Sequence, residues 1–597
     1  MNGICGWWGA RPQAAEGIFP TTSDASINDC DISAAVIGNN TGGLVHADVE
    51  IVVAISERTS FGDAATVAAA YRRDGDAMLC AMQGAFALAL LDRRRSRFLL
   101  AVDRAGARSL YVNERYGGVF FASRLEMLSR APGFNRMHDD QAIFDYLYFH
   151  VIPSPRVIYR DVSKLLPAQM RIWENGQTLH RFYWHMPYRD SEVADYAALR
   201  QEFRALLPRV VGDAAGHSKT GADRVACFLS GGTDSSTVAG TWRELRGAPV
   251  STYSIGFDAA GFDEMDYART AARHFGTNPR ELYVKPADVV DSIPRIAAYC
   301  DEPFGNASIV PAYLCARFAK DDGIDTMLAG DGGDEIFGGN ERYANQSLFE
   351  LYGRIPAPAR RLLESALQMP GLDAIPMVRK ARSYIAQAKV PLPDRFETYN
   401  FLHRTALDQI FEPAFLARVD SEEPLRNLRE VYARTKSNSA INRMMHLDLK
   451  ITLSDNDLRK VNQACELAGV NVCYPLLDDR MLDFAASVPA RMQLKGTQLR
   501  WFFKRSLADF LPPQIIAKRK QGFGLPVGLW MADYAPLREL SHESLIALKH
   551  RQIVRPSYID WVEQKHAKEH ASYYGVMLWI LIMLEQWLQA HQATAQR

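Results

Sequence analysis

The spacing of apolar positions changes character along the chain. Up to about residue 185, short runs either alternate with polar positions or are wholly apolar, as at 50–56, 84–91, 97–102 and 118–122. Runs of that length and period, bounded by turn residues, predict β-strands. A mostly polar stretch at 188–194 predicts a linker. From Asp195 the period becomes helical, with Leu199, Phe203, Leu206 and Leu207 on one face. Four apolar runs at 225–229, 251–257, 280–284 and 326–329 then alternate with helical segments. That alternation predicts an α/β class with a doubly wound parallel sheet. After about residue 345 the pattern is mostly helical. The strongest apolar run, 576–584, is too short to span a bilayer and predicts a buried helix. The pattern divides the chain into 1–187 and 195–597, with no internal repeat.

Two of the predicted strands end in glycine-rich turns. The run 225–229 closes on Leu229 and enters Ser230-Gly231-Gly232-Thr233-Asp234-Ser235; the run 326–329 enters Gly330-Asp331-Gly332-Gly333-Asp334-Glu335. A tight turn with an acidic tip at the carboxyl edge of a parallel sheet is how an α/β protein holds a nucleotide triphosphate and its magnesium. The first string has no Walker-type lysine, so it is not a kinase-type P-loop. Its glycines let backbone N–H groups approach phosphate, its serines add donors, and the following helix presents a positive N-terminus. The arrangement suits β- and γ-phosphates that leave together as pyrophosphate. Asp234 cannot favour phosphate directly; its expected role is to hold Mg²⁺, with Asp334 as the second ligand.

Composition narrows the partners. The chain has 597 residues, 48% apolar and 23% charged, and Lys+Arg and Asp+Glu both number 69. No global basic field exists to collect nucleic acid or membrane phosphate. The run Arg93-Arg94-Arg95-Ser96-Arg97 reads as a solvated hairpin turn. Eight cysteines lie at 5, 30, 80, 227, 300, 315, 465 and 473, without a C-x-x-C pair or zinc-finger spacing. Several fall in apolar stretches and are expected to be buried thiols, which suggests a reducing, cytoplasmic setting. No charged region followed by an apolar one opens the chain as in a secretory signal.

These strings together resemble the asparagine synthetase superfamily. The resemblance also rests on Asp301-Glu302-Pro303-Phe304, Ser308, Pro311-Ala312-Tyr313, Gly338-Gly339, Tyr474-Pro475-Leu476-Leu477-Asp478 and Lys520-Gln521-Gly522-Phe523. In the N-terminal half, Gly84-Ala85-Phe86-Ala87 and Asp103-Arg104-Ala105-Gly106 resemble a class II glutamine amidotransferase domain. The resemblance implies a β-rich, Ntn-type αββα domain followed by a PP-loop ATP pyrophosphatase domain with added helices. It places Gly330 near the α-phosphate and Ser254, Ile255 and Gly256 near the adenosine. It puts Asp331 beside an incoming amine, where a carboxylate takes a proton. Lys520 would face the α-phosphate or the tetrahedral intermediate, and Asp457 would lie near the site.

The N-terminus departs from the family. Glutamine-hydrolysing members begin Met-Cys-Gly-Ile-x-Gly; this chain begins Met1-Asn2-Gly3-Ile4-Cys5-Gly6. Aligning Gly3, Ile4, Gly6 and Gly9 puts Asn2 at the nucleophile position, and an amide forms no thioester. Methionine is expected to stay before Asn2. A rival register uses Cys5 after loss of a four-residue propeptide and keeps fewer matches. No HRGPD-like or NGEIYN-like string is present, and the region of the latter reads Ala54-Ile55-Ser56-Glu57-Arg58. The expectation is a scaffold without glutaminase chemistry, so the nucleophile is an amine brought by a substrate. β-Lactam-forming synthetases place tyrosine at the Asp331 position. For an ammonia-dependent asparagine synthetase, Asn471-Val472-Cys473 stands where the family has Glu-Ala-Arg. A lasso peptide cyclase, which adenylates an Asp or Glu side chain and joins it to the peptide's N-terminal amine, fits the carboxylate at Asp331. That resemblance implies ATP and Mg²⁺, a precursor peptide as substrate, and a leader-cleaving cysteine protease and leader-binding protein as partners. It implies neither nucleic acid nor membrane. An idle ATP-binding scaffold of a peptide-maturation complex is the reading of another class, and intact Asp234, Asp331, Asp334 and Lys520 argue against it.

Overall fold

The computed structural model describes residues 3–9, 26–28, 32–37, 43–115, 117–190, 194–216, 221–259, 261–353, 355–367, 375–519 and 524–592. The N-terminal half is two six-stranded antiparallel sheets laid face to face. One runs Val162–Lys164, Tyr111–Arg115, Gly118–Ala122, Gly3–Gly9, Ile32–Ile37, Ser26–Asn28. The other runs Gln177–Phe182, Gln169–Glu174, Arg97–Val102, Ala87–Asp92, Ile51–Ile55, Val45–Ala47. Alternation along a strand sends successive side chains to opposite faces. Ile4 accordingly enters the core between the sheets with Val53, Leu88 and Phe121, while Cys5 and Trp7 face the other way. Helix Ala64–Asp74 covers the second sheet through Val67, Ala68 and Tyr71. The back of the first sheet is covered by helix Asp140–Phe149 and, in the same core cluster, by Ile293 and Ile296 of helix Pro286–Tyr299 and Leu578 and Ile582 of helix Ala571–Gln592. The layers are helix, sheet, sheet, helix, and the last is built largely by the C-terminal half.

The arginine run at 93–97 is the turn joining Ala87–Asp92 to Arg97–Val102. Arg94 lies 2.5 Å from Glu50, Arg95 2.9 Å from Glu174 and Arg97 2.5 Å from Asp76, so the cluster is paired within the fold.

The C-terminal half opens with helix Tyr196–Gly216, which buries Phe203 and Leu207. Five parallel strands follow, in the spatial order Asn278–Val284, Ser251–Phe257, Val225–Phe228, Thr326–Leu328, Asn471–Cys473. The fifth strand falls in the region read as helical; three residues with one buried apolar side chain leave no period to read. Helix Ala571–Gln592 buries Met577 through Leu584. Among the described residues no helix is long and apolar enough to cross a membrane.

A buried ion network joins the halves. Glu302, fully enclosed, pairs with Arg459, lies 3.5 Å from Lys164 and accepts the Ile158 N–H at 3.0 Å. Lys164 also lies 3.1 Å from Asp455. Asp301 lies 3.1 Å from Arg124 and accepts the Leu125 N–H at 3.1 Å. The family-like string Asp301-Glu302 therefore clamps one half to the other. Removing one member of a buried pair leaves an uncompensated charge, at a cost of about 3–5 kcal/mol. Glu302→Ala is expected to lower the midpoint of chemical unfolding accordingly; a midpoint unchanged from wild type would show that the network holds nothing.

Candidate active site

Each doubly wound sheet has a point where strand order reverses, and loops leaving on either side of it open a crevice. Here that point lies between Val225–Phe228 and Thr326–Leu328, the two strands that carry the glycine-rich turns. The first turn ends with Gly232 as N-cap of helix Thr233–Arg246. The second runs into the short helix Gly333–Phe337 and is tied to the fifth strand by the Ala329 N–H, which donates to the Cys473 carbonyl at 2.9 Å. The turns touch. A Cβ on Gly330 would lie 2.7 Å from the Ser235 amide nitrogen, and one on Gly333 would lie 2.2 Å from Asp234 Oδ1. Only glycine permits that approach.

A cavity of about 970 Å³ opens at this point. The first turn lines it with Leu229, Ser230, Gly232, Thr233, Asp234 and Ser235, and the second with Gly330, Asp331 and Asp334. Ser254 and Ile255 of the neighbouring strand and Asp457 complete the expected set. Two expected residues stand behind the lining. Gly231, at φ +67°, backs onto the Tyr267–Ala268 backbone, and Gly256 backs onto the Tyr283 ring. A Cβ at either position would strike those atoms. Lys520 lies outside the described residues. Its neighbours Lys518 and Arg519 line the cavity, and Lys518 is 3.0 Å from Glu264.

The two carboxylates expected to share a metal converge on one cation. Arg500 Nη1 lies 2.7 Å from Asp234 Oδ2 and 3.2 Å from Asp334 Oδ1. Arg500 is 5% exposed and sits at φ +56° before helix Trp501–Ser506. Burial works against its charge, and the carboxylates of Asp234 and Asp334 outweigh it. Nothing in Gln498-Leu499-Arg500-Trp501 marks carboxylate partners as far upstream as Asp334 and Asp234. Among the described residues no three His, Cys, Asp or Glu side chains form a cage. Mg²⁺ is ordinarily held by one or two carboxylates together with substrate phosphates. Asp234 and Asp334 offer that donor set, and helix Thr233–Arg246 begins at the same turn, its N-terminus suited to phosphate. The residues present fit Mg–ATP; the ion supplies neutralisation of charge on the leaving phosphates.

Asp331, Asp457 and Lys460 form a second group on the cavity wall. Burial pushes the Asp331 carboxyl up to about 6; the Lys460 ammonium pulls the other way, and the carboxylates of Asp457 and Asp234 add to the rise. Lys460 Nζ lies 2.8 Å from Asp457 Oδ1. Burial opposes the charge on Lys460, but Asp457 and Asp331 hold the ammonium above its usual range. Both side chains lie where a π-helical segment, Asp448–Asp457, passes into helix Leu458–Ala468. Such segments are rare and favour functional sites. Asp455, two residues before Asp457, instead accepts from the Ser154 N–H at 2.8 Å and its hydroxyl at 2.6 Å, in the interface between the halves.

In the N-terminal half, Asn2 lies outside the described residues. Cys5 is mid-strand, opposite Ala35 on one side and Ala122 on the other. Burial pushes its thiol up to about 12, so it is not a thiolate at neutral pH. The stretch 54–58 is spent on structure: Ser56 Oγ accepts the Ala87 N–H at 2.9 Å, and Glu57 Oε1 lies 3.0 Å from Arg108 Nε. Purified protein is expected to release no ammonia from glutamine, with or without ATP, and to keep Met1 by intact mass. A mature chain starting at Cys5 that hydrolyses glutamine would overturn this.

The asparagine synthase family matches residues 208–589, and the glutamine amidotransferase domain family matches residues 51–184. Asparagine synthetase [glutamine-hydrolyzing] 1 of Bacillus subtilis is 23% identical over 473 residues, covering 79% of this chain and 72% of its own. A putative asparagine synthetase [glutamine-hydrolyzing] of Mycobacterium tuberculosis is 26% identical over 489 residues, covering 79% and 71%. Among solved structures, the allosteric regulatory enzyme of purine biosynthesis aligns with 42% of this chain and 65% of its own at 13% identity and a TM-score of 0.21. The first family match spans most of the chain and takes in both turns and the whole lining of the cavity; the chain belongs to the asparagine synthase family of ATP-dependent amide-forming ligases.

Proposed function

We propose that this ligase forms a macrolactam within a ribosomally made peptide, joining an Asp or Glu side chain to the peptide's own N-terminal amine. The observation that carries attack by an amine, common to this reading and the second one below, is the Asp331 carboxylate on the cavity wall, raised to about 6 within the second turn. In the first half-reaction the turns 229–235 and 330–334 orient the triphosphate. The substrate carboxylate attacks the α-phosphorus and pyrophosphate departs. In the second, Asp331 takes a proton from the incoming ammonium, the free amine attacks the acyl-adenylate, and AMP leaves with the electron pair of the broken C–O bond. Lys520 would steady the charge on the α-phosphate in both halves.

Two features support a peptide over free aspartate. The cavity stands near the top of the range of about 300–1,000 Å³ that small-ligand clefts span. None of Asn471, Val472 and Cys473, at the family's Glu-Ala-Arg position, lines it. On this reading residues 1–187 are a scaffold, residues 195–597 carry the chemistry, and the protein works in the cytoplasm with a leader-cleaving cysteine protease and a leader-binding protein. Asparagine formation from aspartate and ammonia is the second reading. It uses the same turns and the same Asp331, and the names of the relatives speak for it.

ATP–pyrophosphate exchange separates the readings. Exchange stimulated by a peptide bearing an N-terminal amine and an internal Asp or Glu, and not by aspartate, is the expected result. Stimulation by aspartate alone, with asparagine appearing on adding ammonium, would establish the second reading. No exchange with any carboxylate would leave the idle scaffold.

A further inference from the structure

The chain as a whole carries no excess of positive charge, but one pair of helices does. Ala357–Leu367 and Pro376–Lys389 hold six Lys and Arg side chains against one carboxylate, Glu364. Lys389 Nζ lies 2.6 Å from Glu364, so that carboxylate is already paired. Arg361, Arg379 and Lys380 are exposed and have no carboxylate partner among the described residues. We propose that this pair of helices is a docking face for a membrane surface bearing anionic lipid, on which the ligase lies without spanning it. The docking is independent of which amine the ligase accepts.

The apolar pattern points outward. On Ala357–Leu367 the apolar positions 359, 362, 363 and 366 recur at the spacing of one helical stripe. In a globular protein such a stripe turns to the core. Here no residue of the helix is buried; Leu362 is 75% exposed and Leu363 42%. Met377, where the second helix begins, is 80% exposed. The pair is anchored by other contacts. Arg382 Nε donates to the Leu367 carbonyl at 2.7 Å, Arg360 lies over the Tyr352 ring, and Tyr384 packs against Phe349 with ring centroids 5.1 Å apart. The stripe is therefore left over once the helices are held in place.

Charge and shape choose the occupant. A second copy of the chain would set Arg361, Arg379 and Lys380 against the same cations, and like charges in contact oppose association. An acidic protein helix matches the charge, but helix recognition of that kind needs a groove, and here Leu362 and Met377 stand out from the surface. A fluid acyl layer takes projecting side chains without preformed holes, while lipid phosphates meet the cations beside them. A leucine stripe flanked by Lys and Arg is the composition of helices that lie in the headgroup plane. No described helix is long and apolar enough to cross a membrane, so the contact is peripheral.

The test is flotation of the full chain with vesicles of phosphatidylcholine alone and of phosphatidylcholine mixed with phosphatidylglycerol. Wild type is expected to float with the anionic vesicles at low salt and to come off as salt is raised, because screening shortens the reach of the lipid charge. Arg361→Gln combined with Arg379→Gln and Lys380→Gln should weaken binding roughly 100-fold, at about fivefold per cation. Leu362→Ser combined with Met377→Ser should weaken it about tenfold or more at every salt concentration, since apolar anchoring is lost and charge is not. None of these side chains lines the cavity, so the unfolding midpoint and pyrophosphate exchange without vesicles should match wild type in both variants. No flotation with either vesicle, equal flotation with both, or variants that float like wild type would overturn the proposal. So would two other results. Binding of a Glu- and Leu-rich amphipathic helical peptide in place of vesicles, lost in the same variants, would give the face to a protein partner. A dimer in sedimentation that Leu362→Ser with Met377→Ser dissolves, without flotation, would give it to a second copy.

Discussion

Asp331→Asn should adenylate its substrate and then stall. On the reading proposed above, adenylation needs the backbone of the two turns, the carboxylates of Asp234 and Asp334, and Lys520, and an isosteric amide at Asp331 changes none of these. Attack needs a free lone pair, and an ammonium has none until a base takes its proton. Loss of a positioned general base costs roughly 10²–10⁴-fold in rate, so carboxylate-dependent exchange should be near normal while amide formation falls by that factor. The same residue sets the pH dependence of the wild type. Its folded-state carboxyl is raised to about 6, so the basic form is present above that value and lost as pH falls through it. The attack step should therefore decline on the acid side of about pH 6, and the variant should lack that limb. Equal loss of exchange and product in Asp331→Asn would make Asp331 a nucleotide or metal ligand.

Asp234→Asn and Asp334→Asn should each abolish AMP and pyrophosphate formation. Both carboxylates reach the same Arg500 nitrogen, so the pocket between the turns is built to surround positive charge. With one carboxylate gone, the site would hold Mg²⁺ with one ligand fewer, and the ion would neutralise the leaving phosphates less well. The affected step is the first, the reverse of the pattern expected for Asp331. Exchange measured against Mg²⁺ concentration checks it: turnover near wild type at limiting Mg²⁺ in either variant would remove that carboxylate from the metal site.

Much of this site is legible in the sequence because its signals are local. A turn such as Ser230–Ser235 carries its glycines, hydroxyls and carboxylate within six positions, after a strand that announces itself by its apolar run. The strands 251–257 and 97–102 match their observed bounds for the same reason. What escaped is set by contacts distant in sequence. Arg500 owes its place to a left-handed residue that turns its side chain back between two loops. Lys460 owes its place beside Asp457 to a π-helical segment, which leaves no trace in the spacing of Asp448–Asp457. Asp301 and Glu302 read only as part of a family-like string, and their carboxylates are consumed in joining the halves. Gly231 and Gly256 show a further need that the string does not spell out: a Cβ at either would strike the Tyr267–Ala268 backbone or the Tyr283 ring.

The central claim is that one peptide supplies both the carboxylate and the amine. Intact mass spectrometry of a candidate precursor peptide, incubated with the protein, ATP and Mg²⁺, tests it most directly. The account predicts a product lighter by one water, formed together with AMP and pyrophosphate, resistant to N-terminal labelling and absent with Asp331→Asn. Unchanged peptides throughout, with asparagine accumulating from aspartate and ammonium under the same conditions, would contradict it.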